Sequence, residues 1–157
     1  MTNYRQGVKD NIDAMVANGD TFIPGGLSWG MRLLSSQKPF QGGASPAYAA
    51  SKNISKFIIL MTDGSNTVSP DPLNPASHLG TDVALANTLT LESCGEIKSE
   101  DISIFTISFG TLADETKTML ETCASSAANY YHAADGTVLK KAFDDIKDKL
   151  SALHLSM

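Results

Sequence analysis

Apolar positions along this chain alternate between two rhythms, a three-to-four-residue recurrence and a short continuous run, and their order predicts an α/β protein. Val8, Ile12, Met15 and Val16 fall at helical spacing, which predicts an amphipathic helix over Tyr4 to Ala17 that stops at Asn18-Gly19. A Gly/Pro loop, Thr21 to Gly26, follows. Leu27, Met31 and Leu34 then mark one face of a short second helix, with Trp29 and Leu33 beside them. From Ser35 to Ser55 the chain is rich in Gly, Ser, Ala and Pro and reads as a surface loop with one helical turn around Ala47 to Lys52.

Phe57 to Met61 is a continuous apolar run closed by Thr62-Asp63-Gly64, the pattern of a strand buried on both faces of a parallel sheet with an acid at its C-terminal end. Ser65 to Ser77 carries three prolines and is irregular. Val83, Ala86, Thr90, Cys94 and Ile97 share a face of a helix from about Gly80 to Lys98. A second apolar strand, Ile102 to Phe109, ends at Gly110; a helix over Ala113 to Ala127 and a short strand, Tyr130 to His132, come next. The stripe Leu139, Phe143, Ile146, Leu150, Leu153 predicts a last helix, entered through Asp135-Gly136-Thr137. Strand and helix alternate as in a doubly wound, Rossmann-like three-layer α/β/α fold with a parallel sheet. No internal repeat is visible.

Composition narrows the function. A chain of 157 residues that is 42% hydrophobic builds one core, so residues 1–157 read as a single domain. The net charge of -5 disfavours nucleic acid and anionic lipid, both of which need a basic face. The longest apolar run falls far short of the roughly 20 residues that span a bilayer. No apolar signal segment follows Met1, so export would require an upstream piece.

Catalytic signatures are missing. His78, His132 and His154 are scattered, without zinc spacing. Gly64-Ser65 does not fit a nucleophile elbow, and Gly25-Gly26 lacks the lysine of a phosphate loop. Asp63 lacks a second acid for phosphotransfer, so a hydrolase or phosphotransferase is disfavoured and a non-enzymatic module expected. Trp29 is expected to pack against the sheet, and Tyr130-Tyr131 to place one ring in and one out. The Pro-rich loop 65–77, at the C-terminal edge of the sheet, is the preferred surface for a partner.

The two cysteines lie in the last turns of successive helices, which right-handed crossovers place side by side on one face. Cys94 and Cys123 then sit near the same, N-terminal edge of the sheet. A disulfide between them is favoured over two free thiols, and it implies an oxidising compartment such as the periplasm.

Gly19-Asp20-Thr21 followed by Gly25-Gly26, the strand ending in Thr62-Asp63-Gly64, and Ile104 to Gly110 stand in an order that resembles the von Willebrand factor A domain. The finer resemblance is to TadG-like proteins of tight-adherence (Flp) pilus assembly. Pro24 to Ser35, Pro39-Phe40, Cys94 with Ile97-Lys98, Cys123 to Ser126, Ala142-Phe143, Ile146 and the tail from Leu150 to Ser156 carry it.

That resemblance implies a binding or scaffolding module, periplasmic or on the cell surface, with protein partners such as pilus-assembly components. It also implies a partial domain with about three parallel strands remaining. Thr21 matches the family's second metal motif and Asp63 its third, but the Asp-x-Ser-x-Ser motif that supplies most direct ligands occurs nowhere in the sequence. Thr21 and Asp63 are therefore expected to form an incomplete, weak site, with local hydrogen bonding for Thr21 and a turn-capping role for Asp63 as the competing readings. No cofactor is expected in this chain, and Mg2+ or Mn2+ in a full-length parent. The generic alternative is a metal-dependent (MIDAS) adhesion domain. Without its neighbouring strand, Phe57 to Met61 becomes a bare edge, expected to be closed by homodimerisation or by the chain's own N-terminal helix.

Overall fold

The computed structural model describes residues 5–16, 18–74 and 76–155. In chain order these form α1 (Arg5–Asp13), α2 (Ile23–Leu34), α3 (Pro46–Ser51), β1 (Lys56–Thr62), α4 (Val83–Ser99), β2 (Ile102–Phe109), α5 (Asp114–Cys123), a 3-10 turn (Ala127–Asn129), β3 (Tyr130–Ala133) and α6 (Gly136–Leu155). The strands make one parallel sheet in the order β1-β2-β3, with Lys56 opposite Ile102 and Thr106 opposite Tyr130. The predicted α/β fold is thus present, with helices on both faces.

β2 is buried on both faces because its neighbours differ on each. Ile102 and Ile104 meet α2, α4 and α5 through Ile23, Leu27, Cys94, Ile97, Met119 and Cys123. Phe105 and Ile107 meet α6 and β3 through Ile146 and Ala133 on the other side. Thr106 and Ser108 are also fully buried, and Thr106 satisfies its hydroxyl on the Leu120 carbonyl at 2.9 Å.

Several boundaries move for local reasons. α2 begins at Ile23, inside the expected Gly/Pro loop, because Pro24 in its first turn gives up no needed N–H. α4 starts at Val83, capped by Asp82, whose carboxylate accepts from Leu85 N at 2.9 Å. α5 stops at Cys123, short of Ala127, because Ser125 turns back onto the part of β2 that β3 does not reach: its N–H donates to the Ile104 carbonyl and its hydroxyl accepts from Ile104 N. The single turn expected near Ala47 is α3.

Three expectations are overturned. β1 lies at the edge of the sheet, as expected, but it is not buried on both faces: none of its residues is fully buried, and Phe57 and Met61 are exposed because α6 packs on β3 and β2. α1 does not close that edge. No residue of α1 is buried, and Val8, Ile12, Met15 and Val16 keep their apolar stripe in solvent; Tyr4 and Ala17 lie outside the described residues. Trp29 is 56% exposed on the outward flank of α2, where it meets Phe40 at 5.7 Å and the Arg32 guanidinium instead of the sheet. The spacing of Ile23, Leu27, Met31 and Leu34 had already filled the inward face.

On α6, Ala142 and Ile146 are buried, whereas Phe143 is exposed; the side chain of Leu153 lies outside the described residues. Tyr130 and Tyr131 point to opposite faces, each half-buried, Tyr130 toward Ser108 and Tyr131 toward Lys149.

Cys94 and Cys123 are joined by a disulfide with Cα atoms 5.3 Å apart, inside the core beneath β2. The bridge closes a 29-residue separation, which in the chain-entropy picture stabilises by roughly 3 to 4 kcal/mol. Replacing both cysteines with alanine is expected to lower the unfolding free energy by about that amount. Urea denaturation of the two proteins under non-reducing conditions measures it.

Candidate functional site

The C-terminal ends of β1 and β2 face the loop that returns from Asp63 to Asp82, and the chemistry-bearing residues collect there. Its organiser is Asn66, only 2% exposed. The N-terminus of α2 has no side-chain cap of its own, since Phe22 occupies the cap position. Asn66 Oδ1 supplies one from far along the chain, accepting from Ile23 N at 2.8 Å. Its amide nitrogen donates to Asn87 Oδ1 at 2.9 Å and to Thr90 Oγ1 at 3.2 Å. Thr90 donates its own hydrogen to the Ala86 carbonyl, which leaves its oxygen free to accept. Asn87 passes the chain on to Glu115 Oε1 at 3.0 Å. One buried amide therefore links α2, the loop, α4 and the first turn of α5.

A second set of bonds brings Thr21 to the same loop. The Thr21 carbonyl accepts from Thr67 N at 2.9 Å, and Thr21 N donates to Thr67 Oγ1 at 2.7 Å. Thr67 in turn donates to Asp20 Oδ1. The backbone of Thr21, not its hydroxyl, makes the local bonds. Asp63 is exposed and does not cap the turn: Gly64 N donates to Thr62 Oγ1, and the Thr62 hydroxyl donates to the Gly64 carbonyl. A threonine at the end of the strand reaches these groups and displaces the carboxylate from that role. The Thr21 hydroxyl and the Asp63 carboxylate make no hydrogen bond among the described residues. With the second oxygen of Asp20 they are the groups left to face a cation, and no cluster of three acidic, histidine or cysteine side chains that could hold a metal exists among the described residues.

Beyond Asn66 the loop is pinned at its base. Ser69 and Gly80 exchange backbone bonds of 2.8 and 3.0 Å, and the Ser69 hydroxyl accepts from Asp82 N. A Cβ at Gly80 would collide with the Pro70 carbonyl and the Ser69 hydroxyl, so the position requires glycine. Asp71 orders the tip by accepting from Leu73 N at 2.9 Å. Leu73 and Leu79 are nonetheless 95% and 79% exposed. His78 stacks on Phe22, with ring centroids 4.5 Å apart.

The remaining histidine on the sheet, His132, is not isolated. Its Nδ1 lies 2.9 Å from Ser108 Oγ, which also contacts the Tyr130 hydroxyl at 3.1 Å. Ser108 is fully buried, so this pair presents no nucleophile to a substrate. Sequence reasoning missed Asn66, Thr67, Asn87 and Glu115. In a loop with three prolines an Asn-Thr pair reads as turn chemistry, and its partners lie about 21 to 46 residues away.

The profile of the von Willebrand factor type A domain matches residues 2–145. The chain belongs to the von Willebrand factor A family. Among solved structures, this A domain is similar to proximal thread matrix protein 1 from the mussel byssus, at 22% identity and a TM-score of 0.55 over 85% of this chain and 27% of that one. A second crystal form gives 24% identity and the same TM-score, over 88% and 30%. A form with a zinc-occupied MIDAS motif gives 24% identity and a TM-score of 0.56, with the same coverage. At these identities the likeness shows the fold. The A domain described here spans less than a third of the length of those chains. No curated protein matches the chain.

Members of the A-domain family commonly mediate adhesion and protein binding, and these neighbours are matrix proteins. The disulfide and the family together point to an extracellular or secreted protein. No helix among the described residues is long and apolar enough to cross a membrane.

Asn66→Asp is nearly isosteric but replaces a donor with an acceptor facing Asn87 Oδ1 and Thr90 Oγ1. It is expected to cost about 1 to 3 kcal/mol, read as a lower urea midpoint at unchanged slope. Asn87→Asp, which alters a half-buried member of the same chain, is expected to cost less.

Proposed function

We propose that this A domain is a non-enzymatic binding module that offers the Ser69–Gly80 loop, at the C-terminal edge of its sheet, to a protein partner. The observation that carries the reading is a loop fixed at both ends by Ser69, Asp82 and Gly80 that holds two leucines in solvent. Ordering a chain is costly, and a loop pinned at Ser69, Gly80 and Asp82 has met part of that cost before any contact. The absence of an accessible nucleophile at Ser108 favours binding over turnover.

On the finer scale, the reading assigns the module to Tad/Flp pilus assembly, in the periplasm or at the cell surface. Its support is the run Pro24 to Ser35 and the paired cysteines, which resemble TadG-like proteins. A resident Mg2+ or Mn2+ then belongs to a longer parent that supplies the Asp-x-Ser-x-Ser segment, with Thr21 and Asp63 as its lesser contributors. The generic metal-dependent adhesion domain is the weaker alternative for this chain, given the few groups available. The unpaired edge of β1, flanked by exposed Phe57 and Met61, is on this reading where a second polypeptide adds a strand, a second copy of the chain included.

Photo-crosslinking in the cell envelope tests the loop. A photoreactive residue at position 73 is expected to trap pilus-assembly protein, while one at the exposed Lys147 of α6 traps little. Equal yields at the two positions would sink the loop assignment, and capture of other proteins alone would sink the pilus assignment. Sedimentation velocity tests the edge. A concentration-dependent dimer that Phe57→Lys abolishes is expected, and a monomer at every concentration would exclude self-pairing.

A further inference from the structure

We infer that the Thr21–Asp63 edge of this chain takes no divalent cation of its own, and that the Asn66 relay does the ordering a cation would otherwise do there. This goes beyond the binding role proposed above and does not depend on it.

The donor set is the first ground. Mg2+ and Mn2+ want about six oxygens, with at least one or two carboxylates among them. At this edge most side-chain oxygens are already engaged. Asn66 Oδ1 holds Ile23 N, Ser65 Oγ and Thr116 Oγ1 share one hydrogen at 2.6 Å, and Thr62 Oγ1 closes its own turn. Thr67 Oγ1 accepts from Thr21 N and donates to Asp20. What remains is the neutral Thr21 hydroxyl, the carboxylate of Asp63 and the second oxygen of Asp20, both acids exposed and so already well solvated. Exchanging waters of a strongly hydrated dication for these few groups gains little, because exposed carboxylates with no buried ligand beside them compete poorly with bulk water.

The second ground is that nothing at this edge waits for an ion to organise it. A structural cation ties loops by satisfying several oxygens at once, and loses that role where the loops are tied already. Here Ile23 N, Thr21 N, the Thr21 carbonyl, Asn66 and Thr90 are mutually satisfied. No buried side-chain oxygen or nitrogen among the described residues lacks a partner, so no orphaned group points at an ion. The zinc-occupied mussel relative and this chain thus share a fold and part with respect to the metal.

The test uses the whole chain, titrated with Mg2+, Mn2+ and Zn2+ by calorimetry, with thermal unfolding and hydrogen exchange as independent readouts. Expected are no saturable Mg2+ or Mn2+ heat below about 1 mM and no rise in Tm in their presence. Zn2+ binding that survives Asp63→Ala lies elsewhere and upholds the inference. Asn66→Ala is expected to lower Tm by roughly 3 to 10 °C, to speed amide exchange of Thr21, Ile23, Thr67 and Val68 by tenfold or more, and to be rescued by none of the three metals. Micromolar binding of any of them that Asp63→Ala abolishes would overturn the inference. So would exchange at those amides that Asn66→Ala leaves unchanged.

Discussion

The burial of β2 on both faces is the constraint from which the rest of this A domain follows. A strand with Ile104 on one side and Phe105 and Ile107 on the other needs apolar cover twice over, and the chain supplies it unequally. Three helices, α2, α4 and α5, cover one face, and α6 alone covers the other. The disulfide sits within the larger layer, binding α4 to α5 where both pack on Ile102 and Ile104. The parallel pairing then puts every strand's C-terminal end on one side, where the loops gather, as open α/β sheets do with their ligand-facing crevice.

That unequal cover gives β1 its character. The strand receives α2 on one face through Ile58, which packs against Gly30, but its other face shows Phe57 and Met61 to solvent. α2 carries the same asymmetry, with Leu27 buried and Trp29, Leu33 and Phe40 forming an exposed apolar margin. α1 adds an apolar stripe that nothing in the described residues covers. Exposed apolar surface in this molecule therefore comes in two kinds: two leucines on the loop at the polar edge, and an open apolar side.

At the polar edge, hydrogen bonding takes the part that apolar packing plays beneath the sheet. Buried amides are costly unless every donor and acceptor is used, and Asn66 uses its oxygen and both donors. Such a group tolerates little change, which makes it an anchor. From it the chain runs outward through Asn87 to Glu115 at the surface, so the N-terminus of α2, the Asn87–Thr90 turn of α4 and the first turn of α5 are held in one frame.

The class of fold and the order of elements were legible in the local pattern of the sequence, which also favoured the disulfide that the structure shows. Apolar periodicity of 3.6 or a continuous run depends only on neighbours within one element, and the right-handed crossover then leaves few ways to arrange helices on a parallel sheet. Cys94 and Cys123 followed from that topology because both end helices on the same face. Its motifs also named Thr21 and Asp63 as residues of one edge, and the strand ends put them there. Which partners those residues find was settled by packing between elements. Asn66 caps a helix 43 positions earlier, Thr62 takes the turn that Asp63 could have capped, Trp29 faces out because Leu27 already faces in, and β1 leaves Phe57 and Met61 uncovered. Each of these turns on competition among groups distant in sequence for one donor, one acceptor or one patch of core, and no local pattern records who wins.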